Sequence, residues 1–397
     1  MVNFLIALFG IYVFIKILLE IREVFYIKKV FEKGPVLLKP KDFEIAALYA
    51  INKHTINIFN ALISMFLVVF WLSGGLFIIN FWLYKPGSII SELEILGVFF
   101  VVNYIMTLPI HIWEKHIDKK FGFNVAPWKL FFIDEIKKII LFIILGGIFF
   151  AGLIYFIDNF KNWWLWGFLF TFLVVILINI LYPIFAALFN KFEPLKDEEL
   201  KNNIEDLMNK VGFKSNGIFV MDASKRDTRL NAYFAGLGKS KRVVLFDTLL
   251  KKLNKEEILA VLGHELGHFK HKDILKNIAV VGIVLFVLFY IFGHLPDKLF
   301  KELMIPKIGA NIIILALLYS EVIFFIFQPL INLISRHNEF EADEMGAELV
   351  NKKALASALK KLVSENKYFP KVSKLYSFIY YSHPPILERL EKLEDKE

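Results

Sequence analysis

The sequence predicts a mainly α-helical, polytopic membrane protein with seven spans and one smaller α+β domain outside the bilayer. Hydrophobic residues make up 57% of the 397 residues, and the mean hydropathy is +0.55, whereas soluble globular proteins are about 45–50% apolar. The excess is concentrated in long apolar runs. The chain has no cysteine, which excludes disulfides and thiolate ligands, so any metal site must be built from His, Asp and Glu.

Seven apolar segments are long enough to cross a bilayer, which takes about 20 residues. The first segment contains Lys16 and lacks a small-residue cleavage site, so we interpret it as a span and not as a signal peptide. Five spans fall in residues 1–188 and two in residues 274–334. The predicted spans are residues 3–19, 61–84, 89–110, 139–157, 163–188, 274–293 and 311–334.

Basic residues alternate between the loops. The loops after the first and third spans are rich in Lys and Arg, whereas the turns after the second and fourth contain only Lys85 and Lys161. This positive-inside pattern places residues 189–273 and 335–397 in the cytosol. The net charge of +8 then fits loops that face anionic lipid, and nucleic acid is not expected as a partner. The membrane would be the cell membrane of a prokaryote or the endoplasmic reticulum of a eukaryote.

The two cytosolic segments predict one α+β domain that is interrupted by spans six and seven. Residues 196–211 have the pattern of an amphipathic helix, and residues 217–222, 231–236 and 242–246 that of short strands. Asn254, with Glu257 three residues later, has the form of a capping box at the start of a helix. We expect this helix to continue with little interruption into span six.

That helix carries the sequence HELGH. His264 and His268 are one turn apart and project from the same face, so both imidazoles can bind one zinc ion. Glu265 lies beside the open position of such a metal and is placed to act as a general base. The alternative is a chance match on a polar helix.

A third ligand is expected directly after span seven, in the sequence RHNEFEADEMGAE. Glu339 completes a His2Glu zinc site with a fourth position for water, and Asp343 can hold the second ring nitrogen of His264. Glu341 and Glu344 are competing candidates. Because consecutive spans are antiparallel, both halves of the site meet at one membrane level. Three ligands and a free Glu predict one catalytic Zn²⁺ per chain and hydrolysis of peptide bonds.

Several segments then become recognisable in order along the chain. They are EKHIDKKFGFN, LYPIFAALFNKFEPL, NAYFAG, KRVVLFDTLL, GHELGHFKH, RHNEFEADEMGA and SHPPILERL. Together they resemble the type I CAAX prenyl proteases, which are membrane zinc metalloproteases that remove the C-terminal tripeptide of prenylated proteins. The resemblance implies a seven-helix chamber around a gluzincin-like HExxH domain, and a monomer that acts on lipid-tethered or membrane-delivered chains.

The resemblance also implies the roles of individual residues. His264, His268 and Glu339 would bind zinc, and Glu265 would be the base. Asn231, Ala232 and Tyr233 would border the substrate through strand pairing. His383 would donate a hydrogen bond to the developing oxyanion, and Arg389 would complete the site.

Two other functions stay open at this point. One is a membrane quality-control metalloprotease of the heat-shock type, although such proteins have fewer spans. The other is a channel or transporter that retains a relic zinc site. The intact Glu265 and the near absence of charges from the spans favour a protease.

Overall fold

Among the described residues, seven helices are long and apolar enough to cross a membrane, which confirms the predicted number and order of spans. The structure is a computed structural model that describes residues 1–235 and 241–394. The membrane helices are α1 (Val2–Glu32), α2 (Pro40–Phe70), α3 (Leu76–Leu83), α4 (Ile89–Lys120), α5 (Trp128–Leu141), α6 (Gly147–Asn159), α7 (Trp163–Ala187), α11 (Asp273–Gly293) and α13 (Gly309–Leu349).

Two spans are each built from two helices. A single π-helical turn, Trp71–Gly75, joins α2 to α3, and another, Phe142–Gly146, joins α5 to α6. Gly74 has φ 156° inside the first of these turns, a conformation that side chains rarely adopt. Two pairs of adjacent glycines, Gly74–Gly75 and Gly146–Gly147, therefore lie at or beside irregular turns.

The helices extend well beyond the predicted spans. Helix α13 has 41 residues and carries Glu339 and Asp343 on the same continuous helix as span seven. Helix α1 continues past the predicted end of its span and buries Glu20 and Glu23, each only 2% exposed. These acids contact the C-terminal part of the chain, so α1 contributes to packing outside the bilayer.

A four-stranded sheet forms the β part of the outer domain, in the order β1-β2-β4-β3. Strands β2 (Ile218–Met221) and β4 (Arg242–Phe246) are parallel, and β3 (Ala232–Ala235) pairs antiparallel to β4 at the edge. Strand β1 (Phe192–Pro194) is an addition to the prediction. The last residue of the predicted strand 231–236 lies outside the described residues.

The remaining helices surround this sheet or connect the spans. They are α8 (Glu198–Lys210), α9 (Asp247–Lys252), α10 (Lys255–Lys270), α12 (Asp297–Glu302), α14 (Lys352–Glu365), α15 (Lys374–Tyr380) and α16 (Ile386–Glu394). The predicted capping box at Asn254 and Glu257 is confirmed. The predicted near-continuous helix from α10 into span six is wrong, because Lys272 adopts a left-handed conformation with φ 58° and turns the chain.

Helices α10 and α13 pack so closely that three glycines lie at their contact. A Cβ atom on Gly267 would lie 2.7 Å from Cα of Ala342, and one on Gly346 would lie 2.9 Å from the backbone nitrogen of His264. A Cβ on Gly263 would lie 3.2 Å from Cα of Gly346. This close approach brings the HELGH segment against the acidic end of α13.

Candidate active site

Helices α10 and α13 bring the three predicted ligands together. Donor atoms of His264, His268 and Glu339 lie within 4.8 Å of one another. The two Nε2 atoms are 3.2 Å apart. They lie 3.6 Å and 3.4 Å from the two carboxylate oxygens of Glu339. The i, i+4 spacing on one helix and the close helix pair therefore produce the geometry that the sequence predicted.

This group fits a divalent metal. Oε2 of Glu339 is buried and has no hydrogen-bond partner among the described residues, and buried polar atoms of this kind need an explanation. The two imidazole nitrogens face the same carboxylate, so the donors converge. Two His nitrogens and one Glu oxygen are ligand types that a catalytic metal site uses.

Two carboxylates orient the two histidines through contacts to their Nδ1 atoms. Asp343 Oδ1 lies 2.9 Å from Nδ1 of His264, as predicted. Asp273 Oδ2 lies 2.8 Å from Nδ1 of His268, a contact that the sequence reasoning did not include. Each contact leaves Nε2 of its histidine for a metal. The signal for Asp273 was its position directly after the motif, in HFKHKD.

Arg389 supports Asp343 in turn. Its Nε and Nη2 donate to the two carboxylate oxygens at 2.7 Å and 2.6 Å, and Nη1 lies 3.4 Å from Glu339. Burial opposes the charge of Arg389, but the hydrogen bonds to Asp343 outweigh it and raise the pKa of the guanidinium. Arg389 also lines the cavity, so the substrate-binding role that the resemblance implies for it stays a prediction.

Glu265 lines the cavity in front of the metal-binding group. Burial raises the pKa of its carboxyl above the ordinary range, although the neighbouring histidines act in the opposite direction. A carboxylate with a raised pKa is a stronger proton acceptor. The arrangement can therefore support general-base chemistry beside a metal.

His383 also reaches this group. Its Nδ1 lies 2.7 Å from Oε1 of Glu339, while 66% of the side chain is exposed. Helix α15 precedes it and is held by α13, because Asn332 Nδ2 donates to the carbonyl of Ile379 at 2.6 Å and Arg336 Nη1 to that of Tyr381 at 2.7 Å. The sequence reasoning missed both of these anchoring residues.

One cavity of about 630 Å³ connects the metal-binding group to the edge strand. Asn231 and Ala232 line it, whereas Tyr233 does not and packs against Tyr182 with the ring centroids 6.1 Å apart. The rest of the wall is largely apolar. Its aliphatic side chains include Leu355, Leu359, Leu362, Val363 and Ile386.

Glu341, the first competing ligand, belongs to a different cluster. It lies 3.4 Å from Nε2 of His337 and 3.8 Å from Nζ of Lys276. Glu339 belongs to the group of donors that converge, and neither Glu341 nor Glu344 does. The side chain of His337 is 73% exposed, so this cluster lies at the surface.

Comparison with known proteins shows the family. The family model for peptidase family M48 matches residues 194–397, and the model for the CAAX prenyl protease N-terminal region, with five membrane helices, matches residues 28–191. The chain belongs to the CAAX prenyl proteases of peptidase family M48. It is therefore a multi-pass membrane metallopeptidase, and the predicted hydrolase class is confirmed.

Individual CAAX prenyl proteases agree with this assignment over most of their length. CAAX prenyl protease 1 of Saccharomyces cerevisiae is 35% identical over 330 residues, which cover 78% of this chain and 73% of that protein. A homologue from Oryza sativa is 32% identical and covers 91% of each. The crystal structure of S. mikatae Ste24p matches with a TM-score of 0.90 at 29% identity, over 98% of both chains.

Proposed function

We propose that this metallopeptidase binds one zinc ion and removes the C-terminal tripeptide from prenylated proteins. The observation that carries the proposal is the convergence of His264, His268 and Glu339 in a cavity that Glu265 also lines. The curated relatives are named CAAX prenyl proteases, which supports this substrate class. The apolar wall of the cavity suits the aliphatic residues of a CAAX sequence.

His264, His268 and Glu339 would hold the metal. When bound, zinc supplies a Lewis acid that polarises the scissile carbonyl and favours ionisation of water at neutral pH. Glu265 takes a proton from the attacking water as its oxygen bonds to the carbonyl carbon. The same carboxyl then gives that proton to the amine nitrogen as the C–N bond breaks.

The other residues of the site bind the substrate or orient the catalytic groups. Asn231 and Ala232 pair with the extended substrate through the free edge of β3, while Tyr233 fixes the strand against α7. His383 donates a hydrogen bond to the oxyanion. Its contact with Glu339 supports this role, because it holds the imidazole beside the metal-binding group. Arg389 acts through Asp343, so it is a positioning residue.

The membrane region would wall off this site. Residues 1–188 and 274–334 would enclose a chamber, and residues 189–273 and 335–397 would form the catalytic domain on the cytosolic side. In a prokaryote the protein would lie in the cell membrane, and in a eukaryote in the endoplasmic reticulum. We propose that it acts as a monomer in contact with lipid and receives its substrates from the membrane.

Peptide hydrolysis by purified protein tests the proposal. A farnesylated CAAX peptide, its unprenylated form and an unfolded membrane protein are incubated separately, and the products are identified by mass spectrometry. We expect release of the intact tripeptide from the farnesylated peptide and no release by Glu265→Gln. Cleavage of the unfolded protein alone would instead indicate a quality-control protease of the heat-shock type.

A further inference from the structure

The cavity extends away from the metal-binding group to Arg229. Asp227, Arg229 and Leu230 line the same cavity as His264 and Glu265. Residues from the membrane helices and their loops cover the Arg229 end. Tyr49 accepts a hydrogen bond from Arg229 Nη2 at 2.8 Å, Asp118 lies 3.3 Å from the same nitrogen, and the Phe123 ring lies 4.1 Å from the guanidinium carbon.

The edge strand gives a direction for the substrate. Ala232 lines the cavity and is the first residue of β3. The cavity therefore meets β3 at the end that is nearer to Arg229 along the chain. Antiparallel pairing, as between β3 and β4, is the slightly more stable arrangement. A peptide paired antiparallel to β3 runs from Ala235 towards Asn231, so its C-terminus points towards Arg229.

Pairing stops just before Arg229. The backbone nitrogen and carbonyl of Leu230 are both taken by the side-chain amide of Asn366, at 2.8 Å and 3.3 Å. A substrate therefore pairs with Asn231 and Ala232, and its last residues continue without a strand partner. Three extended residues span about 10 Å, which is the length of the peptide that a CAAX protease releases.

We propose that Arg229 binds the free C-terminal carboxylate of the substrate and so sets the length of the released peptide. This inference rests on the proposed tripeptide release. An arginine stays charged at any physiological pH and has five N–H donors, so it can bind a further carboxylate through the hydrogens that Asp118, Asp227 and Tyr49 leave. Arg229 is oriented for this by Asp227, which contacts both its backbone nitrogen and its Nη1, and its side chain remains 29% exposed.

Both arginines of the cavity wall have acidic partners, and Arg229 is the more exposed of the two. Among the described residues, the lysine and arginine side chains that line the cavity are Arg229 and Arg389. Arg389 is 11% exposed and is bound to Asp343 and Glu339. Lys367 adds positive charge near Arg229, because its Nζ lies 4.4 Å from the centre of the same Phe123 ring. Arg229 and Lys367 together place two positive charges beside Asp118 and Asp227.

The test compares one CAAX peptide with its C-terminal amide. The wild-type enzyme should cleave the acid with a kcat/KM about 10- to 100-fold higher than the amide, the range for a hydrogen bond to a charged group. In Arg229→Met the ratio should fall to about one, and Arg229→Lys should retain part of it. The ratio is measured within each variant, so a loss of folded enzyme does not alter it.

Arg226→Met is the matched control. Arg226 also contacts a membrane helix, through two hydrogen bonds to Asp134 at 2.9 Å and 3.1 Å, but it does not line the cavity. In Arg226→Met, the ratio of kcat/KM for the acid to kcat/KM for the amide should equal that of wild type. Equal cleavage of acid and amide by wild type, or an unchanged ratio in Arg229→Met, would overturn the carboxylate site and leave tripeptide release intact. Cleavage of neither peptide by wild type would overturn both.

Discussion

Asp273 Oδ2 lies 2.8 Å from Nδ1 of His268, so the first residue of α11 orients a proposed metal ligand at the end of the preceding helix. Asp343 makes the equivalent contact to His264 from span seven, at 2.9 Å. Each of the last two membrane helices therefore supplies one orienting carboxylate. The metal-binding group depends on both spans, and not only on the helix that carries HELGH.

We expect Asp273→Ala and Asp343→Ala each to weaken zinc affinity by about 10- to 100-fold, the usual effect of losing a residue that orients a ligand. Glu339→Ala removes a ligand and should strip most of the metal. Zinc content after dialysis against graded chelator measures all three. Glu341→Gln is the control, because Glu341 lies on the same helix and outside the group. Loss of zinc in Glu341→Gln but not in Glu339→Ala would contradict the ligand assignment.

Glu265→Gln should keep the fold and the zinc and abolish hydrolysis. Gln has nearly the same shape but cannot take a proton from the attacking water. The measurements are metal content, thermal unfolding and turnover of a CAAX peptide. Substantial turnover in a sample free of contaminating protease would exclude Glu265 as the base.

The contact between α10 and α13 should not tolerate added volume. In Gly267→Ala the new Cβ would lie 2.7 Å from backbone of Ala342, so the helices must separate, at a cost of about 1–3 kcal/mol. We expect a lower unfolding temperature in detergent and reduced zinc content. Gly97→Ala is the control, since a Cβ there meets nothing within 4 Å and an alanine favours a helix. If Gly267→Ala and Gly97→Ala change the unfolding temperature and zinc content equally, close packing at Gly267 is not the cause of the change.

The site was predictable where residues repeat with the period of a helix. His264 with His268, and Glu339 with Asp343, are each four residues apart, and the antiparallel order of spans six and seven brings the two pairs together. Asp273 was not predictable in this way. Its contact requires the left-handed turn at Lys272, which interrupts a helix that the sequence predicted to be nearly continuous.

The fold was predictable in its spans and less so at their ends. Apolar runs mark where a helix crosses lipid, but α1 continues beyond its run to bury Glu20 and Glu23. His54 contacts Glu20 with 2.5 Å between Nδ1 and Oε2. Glu20 also accepts a hydrogen bond from Tyr376 at 3.0 Å. These partners lie 34 and 356 residues from Glu20 in the sequence, and local patterns contain no information on them.

The start of α10 should be sensitive to acid. Glu257 is 2% exposed and accepts hydrogen bonds from Lys361 at 2.7 Å and Ser357 at 2.6 Å. Burial opposes its ionisation, but these hydrogen bonds outweigh burial and lower the pKa of the carboxyl. Its stabilisation is therefore complete above the unfolded pKa of about 4.3. It is lost as the pH falls through the lower folded pKa.

We expect Glu257→Gln to lower the free energy of unfolding by about 1.5–3 kcal/mol at pH 7, and the difference from wild type to shrink below about pH 4. Denaturant unfolding in detergent at both pH values measures this. Glu256→Gln changes an exposed neighbour and should have little effect at either pH. A difference of the same size at pH 7 and at low pH would indicate lost packing and not lost charge.

The last prediction concerns access to the site. The cavity lies between the catalytic helices and loops that are tied to the membrane helices, as Arg229 is to Tyr49 and Asp118. A substrate must therefore arrive as an extended chain. One CAAX sequence fused directly to a tightly folded domain should resist cleavage, while the free peptide is cut. A flexible linker of about 20 residues spans roughly 25 Å and should restore cleavage of the fusion. If the direct fusion is cut as fast as the free peptide, the site is open to the cytosol and the enclosing chamber is wrong.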